Sequence, residues 1–363
     1  MPLPLSMGPW ARRHHGSVST ASEAATRHAA SGSPDLDGRD IIELEHVTKR
    51  LDGRTVVADV SLAVQRGTLY ALIGPSGSGK TTTVRMICGI YAPDAGTVRL
   101  FGHSHLPWSR ALKQRFGYMP QTESLYPRLT ATENLRYAAA LQGVSREAAT
   151  RRLAEVLQLV ELTDQRQQLA GSMSGGQRRR LALAVALMHA PELLFVDEPT
   201  AGLDPALRIR LWAYFRALAQ QGRTVVVTTQ YIDEAELTDR VAILRAAQLV
   251  AVGTPAELAH RAFGGEIVVL RSPDMTTQAA KALAEMPGVH DVRFVDLETL
   301  EVVVDAAEAA APYLLAALSR WGCTVRSIAM RRPRFEEVFL QLTGVAPSAA
   351  SSAADLAPEV PDA

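Results

Sequence analysis

Between residues 41 and 262 the chain is punctuated by short apolar runs that do not alternate with polar residues. Leu69–Ile73, Leu193–Val196, Thr224–Thr228 and Val241–Leu244 are continuous, the pattern of strands covered on both faces. Helical spacing fills the intervals, so the pattern predicts an α/β fold with a mainly parallel sheet and helices around it. Two strands precede this alternation, at Ile41–Val47 and Val56–Val64, and residues 131–190 read as a helical insertion. The pattern breaks at Phe263–Glu266, where Gly264 and Gly265 fall together. Beyond it the order is strand, helix, strand, strand, helix, strand, at Ile267–Leu270, Gln278–Glu285, Val289–Val295, Leu300–Val304, Pro312–Trp321 and Cys323–Ala329. That order predicts a small α+β unit of the ferredoxin-like, split βαβ kind. A short helix, Phe335–Leu342, is expected to close it before Gly344.

The expected organisation is therefore 41–262 for the first domain and 266–344 for the second. Residues 1–40 (Ala, Ser, Gly, His and Arg) and 345–363 (Ala, Ser, Pro and Asp) have the composition of disordered tails. At 363 residues the chain has ample length for two cores. Lysine plus arginine number thirty-eight, as do aspartate plus glutamate, so there is no global basic field suited to nucleic acid. Cys88 lies in an apolar segment and Cys323 opens an expected strand, which points to two buried small hydrophobes and a reducing compartment. The longest apolar runs, such as Leu181–Met188, fall far short of the roughly 20 residues that span a bilayer.

The candidate chemistry begins at Gly74-Pro75-Ser76-Gly77-Ser78-Gly79-Lys80-Thr81-Thr82, directly after the Leu69–Ile73 run. This is a phosphate-binding loop in its required context of strand, glycine turn and helix. Glycines let backbone N–H groups turn inward around an anion at a helix N-terminus. Lys80 supplies a charge for the β- and γ-phosphates, Thr81 a hydroxyl for Mg²⁺ and Thr82 a donor to a phosphate oxygen. Only four lysines stand against a large excess of arginine, which makes chance placement of Lys80 here improbable.

Two further constellations follow. Leu193–Val196 delivers Asp197 and Glu198 at a strand's C-terminal end, where ligands collect in open α/β sheets. Asp197 suits Mg²⁺, and Glu198 suits a general base for the attacking water. Ser174-Gly175-Gly176-Gln177 stands at a helix start; Ser174 can be an ordinary N-cap, yet two glycines weaken a first turn and permit close approach to an anion.

Phosphate loop, Ser-Gly-Gly-Gln and Asp-Glu strand end, in this order over residues 41–262, resemble the nucleotide-binding subunit of ATP-binding-cassette transporters. The resemblance implies a P-loop NTPase fold with an antiparallel β subdomain, ATP and Mg²⁺ as cofactors, and hydrolysis in a sandwich dimer, homodimer or heterodimer. It implies that Gln121, in Tyr118-Met119-Pro120-Gln121, touches Mg²⁺, with a groove for a permease near Ser124–Arg128. It implies that Ser174–Gln177 cap the partner's γ-phosphate, that Asp204, in Ala201-Gly202-Leu203-Asp204, signals across the dimer, and that Gln230 stands where the family carries a switch histidine. Leu51 stands where an aromatic residue usually stacks on adenine, so base discrimination is expected to be loose. Thr229-Gln230-Tyr231, Asp233-Glu234-Ala235 and the ending Phe335-Glu336-Glu337-Val338-Phe339-Leu340 are similar to the daunorubicin-resistance branch. Export of a drug through a separate integral-membrane permease, at the cytoplasmic face of the plasma membrane, is the function this implies. Lipid or polysaccharide export is the alternative within the family. A soluble repair or translation ATPase is the alternative outside it, but the chain lacks the long coiled coil or second cassette of those proteins. The unit 266–344 carries no clustered carboxylates, histidines or glycine loops, so it is expected to regulate or dimerise, and cutting after Arg261 to leave nucleotide binding intact.

Overall fold

Strands β3 (Leu69–Ile73), β6 (Leu193–Asp197) and β7 (Thr224–Thr229) are buried at every residue, which explains their unbroken apolar sequences. In the computed structural model, which describes residues 40–104, 106–122 and 124–344, they lie in a six-stranded sheet of order β5-β6-β7-β3-β8-β9. Here β5 is Phe116–Met119, β8 Arg240–Arg245 and β9 Gln248–Gly253. Five strands are parallel and β9 pairs antiparallel with β8.

Alternate side chains of these strands enter opposite cores. Val225 and Val227 join Leu69, Leu194 and Val196 against the helices α3 (Ala131–Leu141), α4 (Arg146–Leu159), α5 (Gly175–Leu187) and α6 (Pro205–Gln220). Val226, Phe195, Tyr70 and Leu72 face helix α1 (Lys80–Ile87) and the antiparallel sheet β2-β1-β4. Those strands run Arg54–Gln65, Asp40–Leu51 and Ala95–Leu100, longer than the sequence predicts for the first two. The short helix α2 spans Arg110–Lys113. Asp40, placed by its composition in the N-terminal tail, opens β1; the rest of the expected tails, 1–39 and 345–363, lies outside the described residues.

Beyond helix α7 (Pro255–Phe263), strands β10 (Glu266–Arg271), β11 (Val289–Phe294), β12 (Thr299–Val304) and β13 (Ser327–Arg331) form an antiparallel sheet of order β11-β12-β10-β13. Helices α8 (Thr277–Ala284) and α9 (Ala307–Arg320) cover one face. This is the ferredoxin-like arrangement. Both cysteines are free and buried, as expected. Cys323, however, precedes β13 rather than opening a strand, and its Sγ donates to the Asp274 carbonyl at 3.3 Å.

Helix α10 (Phe335–Thr343) differs from its sequence reading more consequentially. It does not simply close the small unit. Phe335 and Val338 are buried against Ile73, Val241, Ile243, Ala235 and Leu258, which belong to the first unit. Glu337 meanwhile holds Arg331 of β13 at 2.9 Å. No helix among the described residues is long and apolar enough to cross a membrane.

Candidate nucleotide site

Three neighbouring strands, β3, β7 and β6, end on the same edge of the sheet and deliver the candidate residues there. After β3 the chain turns through Gly74, Gly77 and Gly79, with φ of 153°, 78° and 104°. A Cβ on Gly74 would sit 2.0 Å from the Leu244 carbonyl oxygen, and one on Gly79 2.5 Å from that of Val56. The loop therefore needs glycine both for its backbone angles and for its clearance. Ser76 lies on the exposed side, while Ser78 is buried and its N–H donates to Pro75 O at 3.2 Å.

Lys80, the first residue of α1, folds back under the loop. Its Nζ donates to Gly74 O at 2.7 Å and Pro75 O at 3.1 Å, and lies 3.5 Å from Glu198 Oε1. Burial lowers the Lys80 pKa, opposed by Glu198, and burial raises that of Glu198, opposed by Lys80. A carboxylate held above its ordinary range accepts a proton more readily, which suits a general base. Glu198 also sits at φ 52°, a left-handed conformation costing about 1–2 kcal/mol for a non-glycine residue. Such strain collects where function fixes a side chain. Its N–H donates to Thr228 O at 3.0 Å, and its Oε2 accepts the Gln230 N–H at 3.3 Å. Gln230 thus reaches the site through its backbone, with an exposed side chain.

Asp197 is wholly buried. Its Oδ1 accepts from Thr81 Oγ1 at 3.0 Å and from Thr228 Oγ1, while Oδ2 has no hydrogen-bond partner among the described residues. An orphaned carboxylate oxygen at zero exposure is costly unless something pairs with it. Beside the Thr81 hydroxyl, that donor set fits Mg²⁺. Gln121 is exposed and enters the site through its carbonyl, which accepts from Arg179 Nη1 at 2.6 Å.

Ser174–Gln177 form a capping box. Ser174 Oγ accepts the Gln177 N–H at 3.2 Å, and Gln177 Oε1 accepts the Ser174 N–H at 2.9 Å. No hydrogen bond among the described residues joins them to the phosphate loop. A Cβ on Gly175 or Gly176 would meet nothing closer than 3.9 Å, so packing within the chain does not require either glycine. Asp204 caps α6 through the Leu207 N–H at 2.9 Å, and Leu51, half-buried, ends β1 beside the Asp52-Gly53 turn.

The family model for ABC transporters matches residues 57–201. A daunorubicin/doxorubicin resistance ATP-binding protein of Streptomyces peucetius is 39% identical over 306 residues, 84% of this chain and 92% of that one. A linearmycin resistance ATP-binding protein of Bacillus subtilis is 34% identical over 307 residues, 84% of this chain and 98% of that one. The chain belongs to the ABC transporter family. A solved dimeric ATP-binding cassette in a post-hydrolysis state with ADP and Pi superposes with a TM-score of 0.55 at 27% identity, covering 59% of this chain and 98% of that one. This ABC chain is an ATP-hydrolysing, nucleotide-binding subunit, and the edge formed by β3, β6 and β7 is the candidate place for its nucleotide.

The sequence reading missed two participants. Thr228 ties β7 to both Asp197 and Glu198, but a threonine inside a buried strand looks like any β-branched filler. Arg179 reaches the Gln121 and Glu198 carbonyls. It stands in the run Arg178-Arg179-Arg180, and α5 is apolar nearly all round from Leu181 onward, so helical phase does not single it out.

Proposed function

We propose that this chain binds ATP with Mg²⁺, closes as a sandwich dimer and drives a separate integral-membrane permease that exports a drug-like amphipathic compound. The observation that carries the reading is the convergence of Lys80, Thr81, Asp197 and Glu198 within hydrogen-bonding reach at one sheet edge. Thr81, Asp197 and Gln121 would hold Mg²⁺, which when bound neutralises charge on the phosphate oxygens. Gly74–Gly79 turn N–H groups on the phosphates, Thr82 adds a hydroxyl donor, and Lys80 adds its charge. Glu198 takes the proton of the attacking water. Ser174, Gly175, Gly176 and Gln177 cap the γ-phosphate held by the other protomer; that packing within the chain requires neither glycine, with no neighbour closer than 3.9 Å, supports this. Asp204 lies beside that interface.

The names of the two resistance relatives support export; a subunit that feeds ATP energy to a permease works at the cytoplasmic face of the membrane in this reading. Expression of the chain with its permease should raise tolerance to an amphipathic antibiotic, and Glu198→Gln should remove that tolerance. Tolerance unaffected by Glu198→Gln would overturn the export reading.

Two smaller effects follow from Gln230 and Leu51. Gln230 offers a neutral amide that orients the γ-phosphate or water at every accessible pH. Gln230→Ala should slow hydrolysis by roughly ten- to a thousandfold, the range for losing one oriented donor, with little change in ATP affinity; turnover at the parent rate makes the position a spectator. Leu51 has no π face, so ATP and GTP should bind within about tenfold, near ~1.4 kcal/mol. Competition against a fluorescent ATP analogue measures this, and a preference of about a hundredfold would mean that another side chain reads the base.

A further inference from the structure

The guanidinium of Arg179 is buried where three segments meet. Its Nη1 donates to Gln121 O at 2.6 Å and Pro120 O at 3.3 Å, and its Nη2 donates to Asp197 O at 2.5 Å and to Glu198 O. One rigid fork therefore spans the loop carrying Gln121 and the strand end carrying Asp197 and Glu198. The fork grows from α5, whose first turn is Ser174–Gln177. Its neighbours in sequence do different work. Arg178 Nη1 donates to Met173 O at 2.7 Å, and Arg180 Nη1 donates to Val160 O and Glu161 O, each at 3.1 Å; those bonds pin α5 to adjacent turns and to α4.

We propose that Arg179 is a positioning residue that makes the placement of Gln121 and Glu198 in one ATP site depend on α5, the helix that faces the partner's nucleotide. The inference rests on the sandwich-dimer reading above. Its physical content is the strained backbone of Glu198. A φ of 52° persists only where surrounding bonds over-determine it. Thr228 O holds the Glu198 N–H on one side at 3.0 Å, and Arg179 holds its carbonyl on the other. The carboxylate then points at Lys80 Nζ and the Gln230 N–H. When α5 shifts toward a nucleotide on the partner, Arg179 carries that shift to both segments. Nucleotide capture at one site thereby sets the alignment of the water and its base at the other.

The test uses the full chain with Arg179→Gln, which removes the charge and fork, Arg179→Lys, which keeps the charge alone, and Arg180→Gln as a control. Arg179→Gln should lower kcat by about a hundredfold, the scale of an ångström-sized misplacement, and Arg179→Lys by less, with the ATP dissociation constant within about threefold of the parent in both. Arg180→Gln should leave kcat unchanged. In a Glu198→Gln background, Arg179→Gln should still form the ATP-dependent dimer by size exclusion, because closure survives and only its coupling to turnover is lost. Gln121→Ala keeps the carbonyl that Arg179 holds but removes the side chain which that carbonyl places, so in that background the further loss from Arg179→Gln should fall below its loss in the parent. Losses that multiply independently within about twofold, or an ATP dimer lost together with turnover, would reduce Arg179 to a structural strut and overturn the proposal. If Arg179→Gln does not fold, Arg179→Lys carries the same cycle. Failure of Glu198→Gln alone to dimerise in ATP would instead count against the sandwich-dimer reading, and it is scored before any Arg179 variant is made.

Discussion

Lys80→Ala should abolish ATP binding and turnover together, whereas Glu198→Gln should keep binding, stop hydrolysis and accumulate a closed ATP-bound dimer. The two residues touch, with Nζ 3.5 Å from Oε1, yet the expected outcomes differ because each acts at a different stage. Lys80 donates to the carbonyls of Gly74 and Pro75, and in the proposed reading its charge meets the β- and γ-phosphates on entry. Removing it costs the ground state and the transition state alike. Glu198 contributes a carboxylate whose pKa burial pushes upward, and glutamine keeps its shape while losing its basicity. A substitution that removes only proton acceptance lowers kcat and spares affinity. Loss of a general base is worth about 10²–10⁴-fold. Isothermal titration with ATP and a phosphate-release assay read the two effects separately. Size exclusion with and without ATP reads the trap. Parent-rate hydrolysis by Glu198→Gln would remove Glu198 from the mechanism, and undiminished ATP binding by Lys80→Ala would remove the loop's central charge.

The parts of this machinery legible in the sequence are those where one residue type serves one geometric need. Gly74 and Gly79 admit no side chain, so a pattern of glycines reports the loop directly. The unbroken apolar strands β3, β6 and β7 report burial on both faces. Three strands escaped notice for physical reasons. β5 has four residues and contains Gly117, where a Cβ would lie 2.3 Å from the Ala186 carbonyl oxygen of α5; so short a strand with a glycine in it gives no clear apolar pattern, and the glycine marks a close helix–strand approach. β4 opens with Ala95 and Gly96, and β9 is an edge strand with a mixed burial pattern. Arg179 and Thr228 were invisible for another reason. Their roles depend on which backbone carbonyls and carboxylates tertiary packing brings to them, and no local pattern encodes that.

The docking of α10 changes what a truncation should do. From composition alone, a cut after Arg261 should spare nucleotide binding, because the small unit carries no chemistry. In the folded chain that cut ends α7 early and removes Phe335 and Val338 from a core shared with Ile73, Val241 and Ile243. Ile73 is the last residue of β3, immediately before Gly74. Two polar ties reinforce the contact. The Phe335 N–H donates to Glu236 Oε1 at 2.9 Å, and Arg245 donates to Thr343 O. Glu236 lies in the 3₁₀ segment Ile232–Leu237 that follows Gln230, so α10 braces the strand behind the phosphate loop and the turn behind Gln230 together. Phe335→Ala should therefore destabilise the cassette by about 3–5 kcal/mol, the usual cost of emptying a buried phenylalanine site. Cassette unfolding in urea, followed through Trp108 and Trp212 in a chain whose Trp10 and Trp321 are replaced by Phe, measures it. Leu314→Ala, in the core of the small sheet, is the matched control and should leave that cassette transition in place. The truncation after Arg261 should show the larger loss, with ATP binding weakened because the folded population falls. A Phe335→Ala chain whose cassette transition does not move, while the small unit unfolds earlier, would assign α10 to the small unit after all and restore the expectation from sequence.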